Sequence, residues 1–213
     1  MMDLFSEQQP EIVPLATGAS WLPGFALPVM DELWSSLKQH FAVHPPQHMV
    51  TPGGYLMSVK TTSMGDFGWV SSTKGYDYSA INPANQLPWP SLPRVITQLA
   101  QTAARAAGYA AFIPDSCLVN IYEPGSKMGL HQDKDEKDFS QPIVSVSLGI
   151  PATFLFGGAK RTDKTIKIQL QHGDVVVWGG ASRRYYHGVA QVKSGVHPLT
   201  GEKRINLTLR KAR

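Results

Sequence analysis

The stretch 118-LVNIYEPGSKMGLHQD-133 carries the strongest information in the chain. It predicts a strand, a turn at Pro124-Gly125 and the start of a second strand. Alternate residues of a strand point the same way, so His131 and Asp133 can reach one point in space. An imidazole and a carboxylate form two thirds of the 2-His-1-carboxylate set that holds non-haem Fe(II). Taken alone, a His-x-Asp pair is more typical of an exposed loop than of a metal site. Other residues of the chain are therefore needed to assign a metal site.

A third metal ligand has to come from elsewhere in the sequence, and His187 is the best candidate. It follows Arg184-Tyr185-Tyr186 on a predicted strand and precedes Gly188, a turn signal. The alternative is a hydrogen-bonded histidine at the end of a strand. The remaining histidines are assigned to a helix, to loops or to turns, and are not taken as ligands: His40, His44, His48, His172 and His197.

A later segment, 204-RINLTLR-210, alternates strictly between polar and apolar residues. Its apolar face suits a half-buried strand. Its other face carries Arg204, Asn206, Thr208 and Arg210. Two arginines pointing into a sandwich are costly unless an anion neutralises them, and guanidinium groups match carboxylates bidentately. The pattern therefore predicts a site for a small dicarboxylate, to which Asn120 and Tyr122 could also donate.

Composition limits the class of protein. The chain has 213 residues, of which 42% are hydrophobic and 17% charged, as expected for one ordered globular domain. Its formal net charge of +4 is mild evidence for a polyanionic partner. Cys117 is the single cysteine, so a reducing, cytoplasmic setting fits, with Cys117 as an inert core thiol. No signal peptide or membrane span is predicted.

Two helices are predicted before residue 108. Apolar residues at helical spacing indicate a helix over 28–41, and a second helix is predicted over 91–107, with Ser91 as its cap and Gly108 as its end. Residues 1–27 are predicted to be irregular, 49–59 to form a hairpin, and 60–93 to form a long aromatic loop system of the kind that often binds ligands.

After Gly108 the pattern changes to short strands separated by turn residues. They are predicted at 116–123, 128–133, 143–150, 153–156, 165–170, 174–178, 184–189 and 203–210. Eight such strands favour a sandwich or jelly roll, and the two preceding helices could pack on one face. The predicted fold is therefore mainly β (α+β), in a single domain.

The ordered set of these motifs resembles the AlkB nucleic-acid demethylases of bacterial type, which are Fe(II)/2-oxoglutarate dioxygenases. The resemblance rests on "NIYEPGSKMGLHQDKD", "PIVSVSLG", "HGDVVVWGG", "YYHG" and "RINLTLR", and covers about residues 49–210. It implies a double-stranded β-helix (jelly roll) with three parts. These are an N-terminal helical extension over 1–45, a nucleotide-recognition lid over 46–90, and a helix plus jelly-roll core over 91–213.

The resemblance also implies roles for individual residues. The Fe(II) ligands would be His131, Asp133 and His187, which with Arg210 form the catalytic set. The 2-oxoglutarate contacts would be Asn120, Tyr122, Arg204, Asn206, Thr208 and Arg210. The substrate contacts would be Trp69, Tyr76, Asp77, Tyr78, Asp135 and Arg161, with Trp69 stacking on the base and Asp135 reading its edge. The lid departs from the family pattern at two places. Val70-Ser71-Ser72 supplies no cation next to Trp69, and Asp77 adds a negative charge near Tyr76.

The predicted function is oxidative demethylation of 1-methyladenine and 3-methylcytosine in DNA, with RNA as a second substrate, as direct repair of alkylation damage. O2 would be consumed, and the protein would act as a cytoplasmic monomer without membrane contact. One alternative is the same chemistry on a protein or a small metabolite. Another is a jelly-roll module that binds its ligand without turnover.

Overall fold

The computed structural model describes residues 11–213. The signal-peptide prediction depends on residues 1–10, which lie outside the described range. Within that range no helix is both long and apolar enough to cross a membrane.

A large antiparallel sheet forms the back of the molecule. Its eight strands are, in spatial order, β1 (Val13–Ala16), β2 (Ala19–Leu22), β14 (Val175–Trp178), β11 (Ile143–Gly149), β16 (Arg204–Arg210), β9 (Ser116–Tyr122), β4 (Leu56–Gly65) and β3 (Gln47–Val50). Every neighbouring pair is antiparallel. The central strands β9, β11, β14 and β16 are buried along their whole length, because both faces of the sheet are covered.

A smaller sheet faces the large one. Its strands are, in spatial order, β10 (Met128–His131), β15 (His187–Val189), β12 (Ala152–Phe156) and β13 (Ile166–Leu170). The eight strands predicted after Gly108 are all present and divide four and four between the two sheets. The predicted mainly β jelly roll is therefore confirmed.

Two helices cover the outer face of the large sheet. Helix α1 (Met30–Val43) follows a short 3-10 turn at Leu27–Val29, and helix α2 (Arg94–Ala106) precedes β9. Both helices share one apolar core with the outward side chains of β16, such as Leu207. Gly108 ends α2 with a φ of +93°, as predicted. The predicted Ser91 cap is wrong, because α2 begins at Arg94 with Pro93 in the cap position and no side-chain cap.

The described part of the irregular lead-in, residues 11–27, is more ordered than predicted. Strands β1 and β2 form a hairpin there, and β2 pairs with β14 at the edge of the large sheet. Pro14 lies in β1, an edge strand of the large sheet, which is a position where a residue without a backbone N–H is tolerated.

The region 60–93 is likewise not a long loop. Strand β4 continues to Gly65 and pairs with β9. Two hairpins follow, β5 (Gly68–Ser72) with β6 (Gly75–Ser79), and β7 (Ile81–Asn82) with β8 (Leu87–Pro88). The lid proposed over 46–90 therefore contains two strands of the main sheet, β3 and β4, and its separate parts are the hairpins β5–β6 and β7–β8. The division at 45 and 90 stays a prediction.

Candidate active site

The two sheets bring the predicted metal ligands together. Strands β10 and β15 are neighbours, and their register sets His131 directly opposite His187. The strands approach closely at Gly188, where a Cβ atom would lie 2.7 Å from the carbonyl oxygen of Met128. Gly188 therefore allows the two histidine strands to pack against each other.

Asp133 completes the cluster just beyond the end of β10. Its carboxylate oxygens lie 3.7 Å from Nε2 of His131 and 3.9 Å from Nε2 of His187. The ligand atoms of all three side chains lie within 4.8 Å of one another, the one such group of three among residues 11–213. Two imidazole nitrogens and one carboxylate fit the set that holds non-haem Fe(II).

Both histidines have their Nε2 atom available as a metal ligand. Nδ1 of His131 lies 2.9 Å from the carbonyl oxygen of Gly129, and Nδ1 of His187 lies 3.0 Å from that of Tyr185. A carbonyl only accepts, so each Nδ1 carries the proton and each Nε2 keeps its lone pair. Burial lowers the pKa of His187 to about 4, helped by the nearby His131, so its ring is neutral at pH 7.

Asp133 is held as a carboxylate. Burial alone would raise the pKa of its carboxyl group, but Arg210, His187 and His131 together hold that pKa well below its ordinary value. Arg210 donates from Nε and Nη2 to the same oxygen of Asp133, at 2.9 and 2.6 Å. A deprotonated, oriented carboxylate is what metal binding needs.

Arg204 is a buried cation without a counter-ion. It is 2% exposed, and its hydrogen bond runs from Nη2 to Oγ of Ser147 at 3.1 Å. Its Nε and Nη1 have no hydrogen-bond partner, and no carboxylate of the described chain forms an ion pair with it. Burying a charge in this way is expensive. The site therefore fits an anionic ligand at Arg204, as the sequence predicts.

Arg210 differs from Arg204 because the chain itself supplies its counter-ions. Besides Asp133, its Nε lies 3.3 Å from Oε1 of Glu136. Glu136 also pairs with Arg183, whose Nη1 donates to the carbonyl oxygen of Asp133. Nη1 of Arg210 remains without a partner. The sequence predicted two arginines awaiting one ligand, whereas the structure leaves only one of them without an ion pair.

One cavity of about 320 Å³ contains the metal cluster and the polar face of β16. The register of β16 against β9 sets Asn206 opposite Asn120 and Arg204 opposite Tyr122. The 2-oxoglutarate contacts implied by the sequence all line this cavity, namely Asn120, Tyr122, Arg204, Asn206, Thr208 and Arg210. Cζ of Arg204 lies 4.9 Å from the centre of the Tyr122 ring.

Comparison with known proteins identifies the family to which the chain belongs. A sequence model of the 2OG-Fe(II) oxygenase superfamily matches residues 18–210. The alpha-ketoglutarate-dependent dioxygenase AlkB of Escherichia coli K12 is 51% identical over 212 residues, which cover 100% of this chain and 98% of that protein. The chain belongs to the AlkB family of 2OG-Fe(II) oxygenases. Fe(II) and 2-oxoglutarate are therefore its metal and its co-substrate.

More distant AlkB relatives agree with this assignment. A DNA N(6)-methyladenine demethylase of Arabidopsis thaliana is 41% identical over 109 residues, or 46% of this chain and 24% of that protein. The solved structure of OsALKBH1 superposes with a TM-score of 0.78 at 30% identity and covers 94% of this chain and 100% of that one.

The substrate contacts implied by the AlkB resemblance lie at the same cavity, with one exception. Trp69, Tyr76, Tyr78, Asp135 and Arg161 all line it. Nε1 of Trp69 donates to Oδ2 of Asp135 at 3.1 Å, and the rings of Trp69 and Tyr76 stack with centres 5.3 Å apart. Asp77 does not line the cavity. Its carboxylate pairs with Arg213 at 2.7 Å.

Sequence reasoning missed several residues of this AlkB site. Glu136 and Arg183 are buried, yet Glu136 belongs to the charged run 134–138, a pattern typical of an exposed loop. Ser147 could have been found, because the alternation in Ile143–Gly149 sets it beside Asn206 once β11 is paired with β16. Met57 and Met128 also line the cavity, and no sequence pattern separates them from ordinary core methionines.

Proposed function

We propose that the protein removes methyl groups oxidatively from N-alkylated nucleobases in DNA, and in RNA as a second substrate, as direct repair of alkylation damage. The observation that carries the proposal is that Trp69 and Asp135, joined by a hydrogen bond, line the same cavity as the metal cluster. A base must leave the stack to be modified, and an aromatic face binds such a base. Full-length similarity to the E. coli dioxygenase AlkB supports the same conclusion.

Each residue of the site then has a defined task. His131, Asp133 and His187 hold Fe(II), and Arg210 fixes the orientation of the Asp133 carboxylate. Arg204 binds a carboxylate of 2-oxoglutarate, while Asn120, Tyr122, Asn206, Thr208 and the free Nη1 of Arg210 complete its pocket. When bound, Fe(II) with 2-oxoglutarate and O2 supplies the oxidation that hydroxylates the N-methyl carbon, with release of succinate, CO2 and finally formaldehyde.

The competing functions can be separated by one comparison. Succinate formation should be stimulated by a methylated oligonucleotide and not by the unmethylated oligonucleotide or by a panel of free metabolites and peptides. Stimulation by a metabolite or peptide would assign the chemistry to another substrate. Absence of iron binding would instead favour a module without turnover.

We further infer that the enzyme works as a monomer in the reducing cytoplasm. Cys117 is fully buried, and burial raises the pKa of its thiol to about 12, so it suits an inert core residue rather than a disulfide partner. Sedimentation of the purified protein would test the monomer.

Asp135 should favour cationic lesions. Methylation at N1 of adenine or N3 of cytosine leaves the ring positively charged, whereas 1-methylguanine and 3-methylthymine are neutral. The Asp135 carboxylate and the Trp69 face both stabilise a cation, the face by roughly 0.5–2 kcal/mol. We expect Asp135→Ala to slow the two cationic substrates more than the two neutral ones, measured as kcat/KM on matched oligonucleotides.

Asp135→Asn is the matched control for this prediction. Its amide oxygen can still accept the hydrogen bond from Trp69, but its charge is gone. If charge is the cause, Asn should narrow the preference as Ala does. An equal loss on all four bases would reduce Asp135 to a residue that only positions Trp69.

Binding of oligonucleotide should weaken as salt rises. Lys134 and Arg161 line the cavity, and the exposed Lys127, Lys160 and Lys164 lie on neighbouring loops. On single strands the log-log slope is about 0.7 per neutralised phosphate. A salt titration of the dissociation constant checks this, and a flat curve would mean that these cations contact no phosphate.

A further inference from the structure

Three side-chain contacts join the lid hairpin β5–β6 to residues 135, 136 and 213, in addition to its hydrogen bonds with Val50 and Trp89. Trp69 donates to Asp135, and the Tyr78 hydroxyl donates to Oε1 of Glu136 at 2.7 Å. The third contact pairs Asp77, on β6, with Arg213. Arg213 belongs to residues 211–213, which follow β16 and which we call the strap.

The strap is anchored to the core independently of the lid. The buried carboxylate of Asp115 accepts the main-chain N–H of Ala212 at 2.5 Å and that of Arg213 at 3.1 Å. Nζ of Lys211 pairs with the same carboxylate at 3.0 Å. The carbonyl oxygen of Ala212 accepts the N–H of Lys137 at 3.1 Å. Because its backbone is held on both sides, the strap gives the Arg213 side chain a fixed origin.

The Arg213 guanidinium joins the lid to the segment that carries Asp135. Nη2 donates to Oδ1 of Asp77 at 2.7 Å, and Nη1 donates to the carbonyl oxygen of Asp135 at 3.1 Å. Its Cζ lies 5.5 Å from the centre of the Tyr78 ring. An ion pair to the 72% exposed Asp77 would alone contribute little. A planar fork that engages all three groups also fixes their relative positions.

We propose that Arg213 is a positioning residue that holds the hairpin β5–β6 over the cavity, so that Trp69 and Tyr76 are set for the flipped base. Its charge also offsets that of Asp77, which would otherwise repel the phosphates of an approaching nucleic acid. The identity of the ligand rests on the proposed function, whereas the mechanical role of Arg213 does not.

Hydrogen exchange of the free protein tests the strap without any substrate. In Arg213→Ala, the amides of β5 and β6 should exchange about threefold to tenfold faster, as expected for loss of a few weak contacts, while those of α2 stay unchanged. Lys137→Ala is the matched control, because it removes one exposed positive charge beside the strap with no contact to the lid. Arg213→Lys, which keeps the charge but not the fork, should fall between wild type and Arg213→Ala.

A double-mutant cycle with Asp77→Asn checks that the two residues act together. If they act through their contact, the effects on lid exchange should be non-additive. In turnover, Arg213→Ala should raise the KM for methylated oligonucleotide about threefold to tenfold, with kcat and the KM for 2-oxoglutarate nearly unchanged. Unchanged lid exchange in Arg213→Ala overturns the inference. Faster exchange with no turnover of any oligonucleotide would support the strap and contradict the proposed function instead.

Discussion

Replacing His187 by alanine should abolish demethylation and weaken iron binding by more than about 100-fold. Mutation of a residue that only hydrogen-bonds to a metal ligand already costs about 10–100-fold in metal affinity, and loss of a ligand should cost more. His187 is 5% exposed, and its Nε2 faces Asp133 while its Nδ1 proton is held by Tyr185. The metal cluster of the described chain contains only one other histidine, His131, which is already a ligand on the facing strand. No further histidine is therefore placed to replace His187.

Iron titration and oligonucleotide turnover measure these two effects, and thermal unfolding checks that the fold survives. The ring of His187 packs near Trp178, with centres 4.9 Å apart, so a moderate fall in stability is expected as well. His172→Ala is the control, since that histidine lies outside the cavity. Full activity of His187→Ala would reject the metal assignment.

Replacing Arg204 by methionine should weaken the binding of 2-oxoglutarate and at the same time stabilise the fold. The apparent KM for 2-oxoglutarate should rise by about 100-fold or more, since each lost charge-assisted hydrogen bond costs roughly 1.5–3 kcal/mol. The free energy of unfolding without 2-oxoglutarate should not fall and is expected to rise, because a buried unpaired charge is replaced by an apolar side chain.

Lys203→Met is the matched control, because the neighbouring Lys203 is exposed and carries the same charge. Arg210 makes a poorer test, since its removal would leave the buried carboxylate of Asp133 without its arginine and that of Glu136 with Arg183 alone. If Arg204→Met were less stable and its 2-oxoglutarate dependence unchanged, Arg204 would be a structural residue only.

The sequence predicted the structure best where a strict alternation of polar and apolar residues falls on a buried strand. Strict alternation in Arg204–Arg210 placed its polar side chains at one cavity, and the structure gives both of its faces a buried environment. Helix α2 was found from its apolar spacing, but its start was placed three residues early. Leu92 precedes a proline, which disfavours helical backbone at that residue, so the helix begins only after Pro93.

The misses have physical causes as well. Strands β1 and β5 carry proline, glycine or small polar residues, which local propensity assigns to loops. An edge position or a two-stranded hairpin tolerates such residues, and tertiary pairing decides the outcome. Glu136 was missed for a related reason, because a charged side chain becomes structural only when distant partners, here Arg183 and Arg210, meet it. Asp77 was predicted as a substrate contact, and its ion pair with the distant Arg213 could not be read from the sequence.

One measurement tests the central claim most directly. The purified protein with Fe(II), 2-oxoglutarate and O2 is incubated with an oligonucleotide that carries 1-methyladenine. The mass of the oligonucleotide is then determined by mass spectrometry. We expect the mass of one methylene group to be lost, with succinate and formaldehyde formed in equal amounts, and no loss without 2-oxoglutarate or with His187→Ala. An unchanged oligonucleotide mass while 2-oxoglutarate is converted to succinate would contradict the assignment of nucleic acid as the substrate.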